Sequence, residues 1–221
     1  MNKILAHYVP LVEFLGKALG PDYEVALHDL SGGIYSYSIV AIANGFNTGR
    51  TVGSPITGKA LEFITDKVYE TEDYRVNYTG RVSSNTVTRS STMFIKDENE
   101  KLLGMLCINY NTARLNDAVN RIFELFQLHP IAKAAPQEDE ALPPHDPTAE
   151  YFTSSIETLI SSMLNVSTPR ERLTQEEKID IVRGLNQKGI FQIKGAVSEV
   201  AAQLCTSEAS IYRYLGKINK E

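Results

Sequence analysis

The sequence predicts an α+β protein: an antiparallel sheet with flanking helices in the N-terminal part and an all-helical C-terminal part. Three observations carry this reading. About five short alternating apolar segments fall between residues 23 and 109, helical apolar spacing brackets them at residues 9–19 and 115–128, and helical spacing dominates beyond residue 150. The two parts are separated by residues 134–147, which hold four prolines and four acids and little to bury.

Taken in order, Val9, Leu11, Val12, Leu15 and Leu19 recur near helical spacing, and Gly20-Pro21 stops the segment. Residues 23–30 alternate like a strand. Residues 37–43 read as a second strand, closed by Asn44-Gly45 as a hairpin turn. Residues 57–65 read as a short helix. Residues 77–84, 87–96 and 102–109 read as three further strands, and residues 115–128 as a helix bearing Val119, Ile122, Phe123 and Phe126. The expected organisation is a sheet domain at 1–131, a linker at 132–150, a connecting helix within 151–169 (helical spacing over 151–165), and a helical module at 170–221.

The 221 residues suffice to bury a core without a disulfide or metal staple. Apolar residues make up 43% and charged residues 22%, which excludes wholesale disorder. No apolar run is long enough to span a membrane, and residues 1–13 lack the pattern of a signal peptide, so a cytoplasmic protein is expected. Cys107 and Cys205 have no partner at metal-ligand spacing and read as reduced thiols, most simply as small buried hydrophobes. The net charge of −5 is unevenly spread. Residues 170–221 carry nine Lys and Arg against seven acids, whereas residues 132–169 carry one against six.

In the C-terminal module, Thr174-Gln175-Glu176-Glu177 forms a capping box, and Gly189 suits a helix stop. Residues 190–193 read as a short extended apolar run. A helix carrying Val197, Val200, Ala201 and Leu204 follows, then a tight turn at Cys205, then a helix whose buried side is Ile211, Tyr214, Leu215 and Ile218. Two short helices crossing steeply need a small residue at the contact, here Ala201, and a branched apolar residue packing back after the turn, here Ile211. This is helix-turn-helix spacing. It turns Thr206, Ser207, Glu208, Ala209, Tyr212, Arg213 and Lys217 toward solvent, on the face that enters the major groove in such folds. Double-stranded DNA is therefore an expected partner, with Arg213 suited to a guanine edge or a phosphate. A homodimer is expected, since one short helix selects too little sequence. A protein-interaction adaptor with a helical docking module is the alternative, motivated by Glu208 and the acidic overall charge.

Several segments together resemble one family. They are Ala196-Val197-Ser198-Glu199-Val200-Ala201, Ser210-Ile211-Tyr212-Arg213-Tyr214-Leu215, His28-Asp29-Leu30, Ile42-Ala43-Asn44-Gly45, Thr48-Gly49-Arg50, Ser90-Ser91-Thr92-Met93-Phe94-Ile95 and Gly104-Met105-Leu106-Cys107-Ile108-Asn109. In this order they are similar to the YheO-like bacterial transcriptional regulators. The resemblance implies an N-terminal PAS-like domain that senses a small molecule or dimerises, and a C-terminal helix-turn-helix that reads operator DNA. The chain differs from the family pattern at Cys205, where glycine is usual, and at Glu208 and Ala209.

Polar residues at strand ends and turns are the expected contacts for a small-molecule effector: His28, Asp29, Asn44, Thr57, Arg81, Ser91 and Asn109. No cofactor or metal signature stands out. No GxSxG, P-loop, HExxH or Cys–His pair with an orienting acid is present, so no enzyme is predicted.

Overall fold

Val25 and Leu27 point to one side of their strand, and Glu24, Ala26 and His28 to the other, yet all five are buried. That double burial sets the architecture, because the sheet must be covered on both faces. The computed structural model describes residues 2–33, 35–82, 86–127, 150–152, 155–164 and 172–218. The predicted linker at 132–150 lies outside them except for Glu150.

The chain opens with α1 (Lys3–Ala6) and α2 (Val9–Leu19), the latter started by Pro10 in its first turn. Strands β1 (Tyr23–Asp29) and β2 (Ile39–Ala43) are antiparallel, with Val25 opposite Ala43. Helix α3 (Gly58–Thr65) follows, capped by the Thr57 hydroxyl, which accepts from the Ala60 amide. Then come β3 (Tyr74–Arg81), β4 (Val87–Lys96), β5 (Leu102–Asn111) and α4 (Ala113–Leu125). A two-residue strand, β6 (Glu150–Tyr151), joins the far edge, so the order is β2-β1-β5-β4-β3-β6. All pairings are antiparallel except β3 with β6, where Gly80 lies opposite Glu150.

One face of the sheet packs Val25, Leu27, Ile95, Leu103 and Leu106 against Leu5 and Val12 of the first two helices. Each fully buried Leu of this kind is stabilised by roughly 1.5–3 kcal/mol of apolar transfer. The other face is concave and is covered by α3, whose Phe63 meets Tyr78 and Phe94, and by Phe152; α5 (Ile156–Met163) follows and packs on the C-terminal helices.

Helices α6 (Gln175–Gln187), α7 (Ala196–Gln203) and α8 (Glu208–Ile218) complete the chain. The Thr174–Glu177 capping box is formed in both directions. Leu159, Ile160, Val182, Leu185, Val200, Leu204 and Ile211 make one core continuous with that beneath α3. Gly189 is what lets the two layers meet. Its φ is +76°, and a Cβ there would come 2.4 Å from Thr65 Oγ1.

Several expectations are corrected. Asn44-Gly45 is not a hairpin turn: Asn44 is left-handed, and the chain runs on into a 3₁₀ turn at Gly45–Asn47. Residues 35–37 are also 3₁₀, so the second strand begins at Ile39. The run 190–193 is a 3₁₀ turn rather than extended. The helix expected from residue 151 begins at Ile156, because Tyr151 pairs with Arg81 and Phe152 is buried under the sheet. That pairing gives the sheet a sixth strand.

Candidate effector site and nucleic-acid interface

The concave face is polar at its centre. Glu24, Thr48, Arg50, Thr57, Ser90, Thr92, Asn109 and Glu150 are all buried there. Alternation explains the contribution of the strands: Glu24 projects inward from β1, Asn109 from β5, and Ser90 and Thr92 from β4. Arg50 arrives from the loop after β2. Asn44 and Asn47 hold that loop, donating to the carbonyls of Gly16, Gly20, Tyr23 and Pro21 at 2.8–3.1 Å.

Arg50 pairs with Glu24, which also accepts from the Thr48 hydroxyl. Asn109 Nδ2 donates to Glu24 Oε1 at 2.9 Å. Burial alone would lower the Arg50 pKa, but Glu24 and then Glu150 beside it raise it, so the guanidinium stays charged. The Phe152 ring stacks on that guanidinium. The Thr57 hydroxyl donates to Glu150 Oε1 at 2.7 Å, and the Ser90 side chain lies beside this carboxyl and helps hold it. Burial pushes the Glu150 pKa up despite Arg50. Tyr78, hydrogen-bonded to Thr92 at 2.8 Å, and Cys107, pushed up to about 12 chiefly by burial, are both neutral. Among the described residues, Asn109 Oδ1 has no hydrogen-bond partner.

Of the residues expected to touch an effector, the structure brings Thr57 and Asn109 into this cluster. His28 lies on the same face of β1 but bonds the Ser38 hydroxyl at 2.9 Å, and burial, then the charge of Arg50, lowers its pKa to about 3. The other four do not converge. Asp29 accepts from the Ser31 amide and hydroxyl in a surface turn, and Asn44 is spent on carbonyls. Arg81 ends β3 at the β6 edge. Ser91 faces away from Ser90 and Thr92, and its hydroxyl accepts from the Asn77 amide. Sequence reasoning missed Glu24, Arg50, Ser90 and Glu150. An acid inside the apolar run of β1 was the one available signal.

In the helical part, the turn between α7 and α8 places Cys205 at φ +49°, the conformation that favours glycine at this position. Cys205 is exposed rather than buried; Cys107 is the buried thiol. Ser207 caps α8, its hydroxyl accepting from the Ser210 amide at 3.2 Å. Ile211 and Tyr214 are buried, while Ser207, Glu208, Ala209, Tyr212, Arg213 and Lys217 are exposed and Thr206 is half-buried. Glu208 is tied back to α7, accepting from the Ser198 hydroxyl at 2.5 Å. Arg213 lies 5.6 Å over the Tyr214 ring. On the opposite side of α7, Gln203 donates to the Glu157 carbonyl of α5 at 2.9 Å.

A curled antiparallel sheet with a polar interior, joined to a helix-turn-helix, is the architecture of a PAS-domain DNA-binding regulator. The YheO-like PAS domain matches residues 1–127 and an HTH domain matches residues 155–216, and the chain belongs to the YheO-like PAS domain family. It is 31% identical over 220 residues to the protein YheO of Escherichia coli (strain K12), covering 96% of this chain and 83% of that protein. It is 27% identical over 222 residues to the transcriptional regulator DauR of Pseudomonas aeruginosa, covering 98% and 95%. A crystal structure of a PAS domain from Colwellia psychrerythraea covers 51% of this chain and 99% of its own, with 17% identity and a TM-score of 0.33. Among the described residues, no helix is long and apolar enough to cross a membrane, and no group of three or more His, Cys, Asp or Glu is arranged for a metal.

Proposed function

We propose that the protein is a transcriptional regulator that reads operator DNA through α8, acts as a homodimer, and uses its N-terminal domain as a small-molecule sensor. The observation that carries the reading is the outer face of α8, where Ala209, Tyr212, Arg213 and Lys217 stand exposed beyond a capped helix start. Free amides and the helix dipole at that start favour phosphate, so Thr206 and Ser207 contribute without charge, and Arg213 is the base or phosphate reader. Glu208, which motivated an adaptor reading, is engaged by Ser198 and braces α7 against α8.

The dimer rests on α4. Leu115, Val119, Ile122 and Phe126 are exposed in a 4-3-4 spacing, and none of the helix's residues is buried. That spacing is the seam of a two-helix coiled coil, whose natural partner is the same helix of a second copy. Two readers about 34 Å apart then match a palindrome.

Fluorescence anisotropy with fragments from the gene's own promoter region and with random DNA, across a salt series, tests this. Tighter binding to one fragment, weakened by roughly 1–3 kcal/mol in Arg213→Ala, is expected. Equal affinity for every fragment at every salt concentration would overturn the regulator reading.

A further inference from the structure

We propose that the polar interior of the PAS domain is a binding site for a small carboxylate that carries a second hydrogen-bond donor, and that Glu150 occupies its carboxylate position as a built-in surrogate. The inference deepens the sensor reading above and names the chemistry of its ligand.

Glu150 comes from a two-residue strand at the edge of the sheet. It pairs with β3 at two register positions, Gly80 with Glu150 and Arg81 with Tyr151, and the Phe152 amide donates to the Arg81 carbonyl at 3.2 Å. Its carboxylate reaches the centre of the domain, where Thr57 bonds it and Ser90 and Arg50 lie beside it. Gly80 makes the room: a Cβ there would meet Thr88 Oγ1 at 2.2 Å and the Phe152 ring at 2.7 Å.

The fit is incomplete in a way that defines a better occupant. Among the described residues, two buried oxygens, Asn109 Oδ1 and Glu150 Oε2, lack hydrogen-bond partners. Both are acceptors, so the site is short of a donor, and leaving such atoms unmatched is costly. Among the described residues, Arg50 is also the one cation in the cluster, shared by Glu24 and Glu150. A hydroxy acid or amino acid brings the carboxylate that Thr57, Ser90 and Arg50 receive, together with the donor that Asn109 Oδ1 lacks. Withdrawing Glu150 and Phe152 vacates the volume of a propionate and a benzyl group, which sets the upper size. The exchange is linked to the reader: Thr57 starts α3, and Thr65 at the end of α3 meets Gly189.

The test uses the full chain and sodium 3-phenyllactate, which joins a carboxylate, a hydroxyl and a phenyl ring. Sodium chloride at equal ionic strength and 2-phenylethanol, which lacks the carboxylate, are the controls. Phenyllactate is expected to raise the Tm saturably and to speed hydrogen exchange at residues 150–152 in the wild type. Glu150→Ala removes the internal competitor and should bind about tenfold more tightly or better. Glu150→Gln keeps the shape, serves if the alanine variant does not fold, and should shift the same way. Adding Ser90→Ala should weaken binding in either variant. Equal affinity of wild type and both Glu150 variants would overturn the proposal. So would an equal effect from phenylethanol or chloride, or unchanged exchange at 150–152 under saturating phenyllactate. None of these readouts involves DNA, so failure of the operator reading leaves them intact.

Discussion

The Arg50 guanidinium carbon lies 4.8 Å from the centre of the Phe152 ring, and both side chains are almost wholly buried. This contact joins the loop after β2 to the chain that returns after residue 149, and it sits over the Arg50–Glu24 pair. A desolvated cation on an aromatic face contributes about 2 kcal/mol. Phe152→Leu retains apolar volume and loses the ring, so urea unfolding should show a loss of roughly 1–2 kcal/mol. Phe152→Ala should lose about 3–5 kcal/mol, because a cavity is added.

His28 gives the fold an acid-sensitive element. Its pKa falls from 6.5 to about 3 in the folded chain, chiefly through burial. Below pH 6.5 the unfolded chain takes up a proton that the folded chain refuses. Its contribution is therefore complete above pH 6.5 and is lost as pH falls toward 3, at up to about 1.4 kcal/mol per pH unit. His28→Asn keeps a polar atom near the position of Nδ1 for Ser38. The wild-type and variant stability curves should run parallel above pH 7 and converge below it.

Cys205 occupies a left-handed conformation that costs an ordinary residue roughly 1–2 kcal/mol. Cys205→Gly relieves this but adds freedom to the unfolded chain, which takes back about 0.5–1 kcal/mol. A small rise in Tm is expected, with DNA affinity unchanged since the thiol sits in the turn and not on the outer face of α8. A fall in Tm would show that the strain is relieved elsewhere.

Ile122 lies mid-seam on α4 and is exposed in the single chain. Ile122→Asp should shift the protein from dimer to monomer in sedimentation velocity, with little change in the far-ultraviolet circular dichroism. Operator affinity should fall with dimerisation. Dimers that persist unchanged would place the interface elsewhere.

Local signals were legible where short-range physics decides the outcome. The Thr174–Glu177 box, the small Ala201 and the returning Ile211 are adjacent in sequence and in space, so the helix-turn-helix could be read from spacing. Strand β4 was likewise readable from its alternation. The candidate effector site is less so. Sequence alone does not separate Ser91 from Ser90, and it is Ser90 that points inward, a one-residue register difference that reverses the face. Asn44-Gly45 favours a hairpin turn by composition, but the Asn44 amide is drawn to the carbonyls of Gly16, Gly20 and Tyr23. Glu150 was hidden by its neighbours: composition marks an acidic, proline-rich stretch as solvated, and it cannot see one carboxylate drawn back to Thr57 across 93 residues.

The strand order has a consequence for how the protein is made. Strand β1 sits between β2 and β5, so the first sheet residues wait for residue 111 to leave the ribosome before their second edge is paired. Glu150 follows about 40 residues later, which at 5–20 residues per second is roughly 2–8 s of translation. During that interval the nascent sheet has Arg50 and Asn109 in place and nothing yet from β6. A newly made chain therefore meets the metabolites around it with its interior still open, before its own carboxylate arrives.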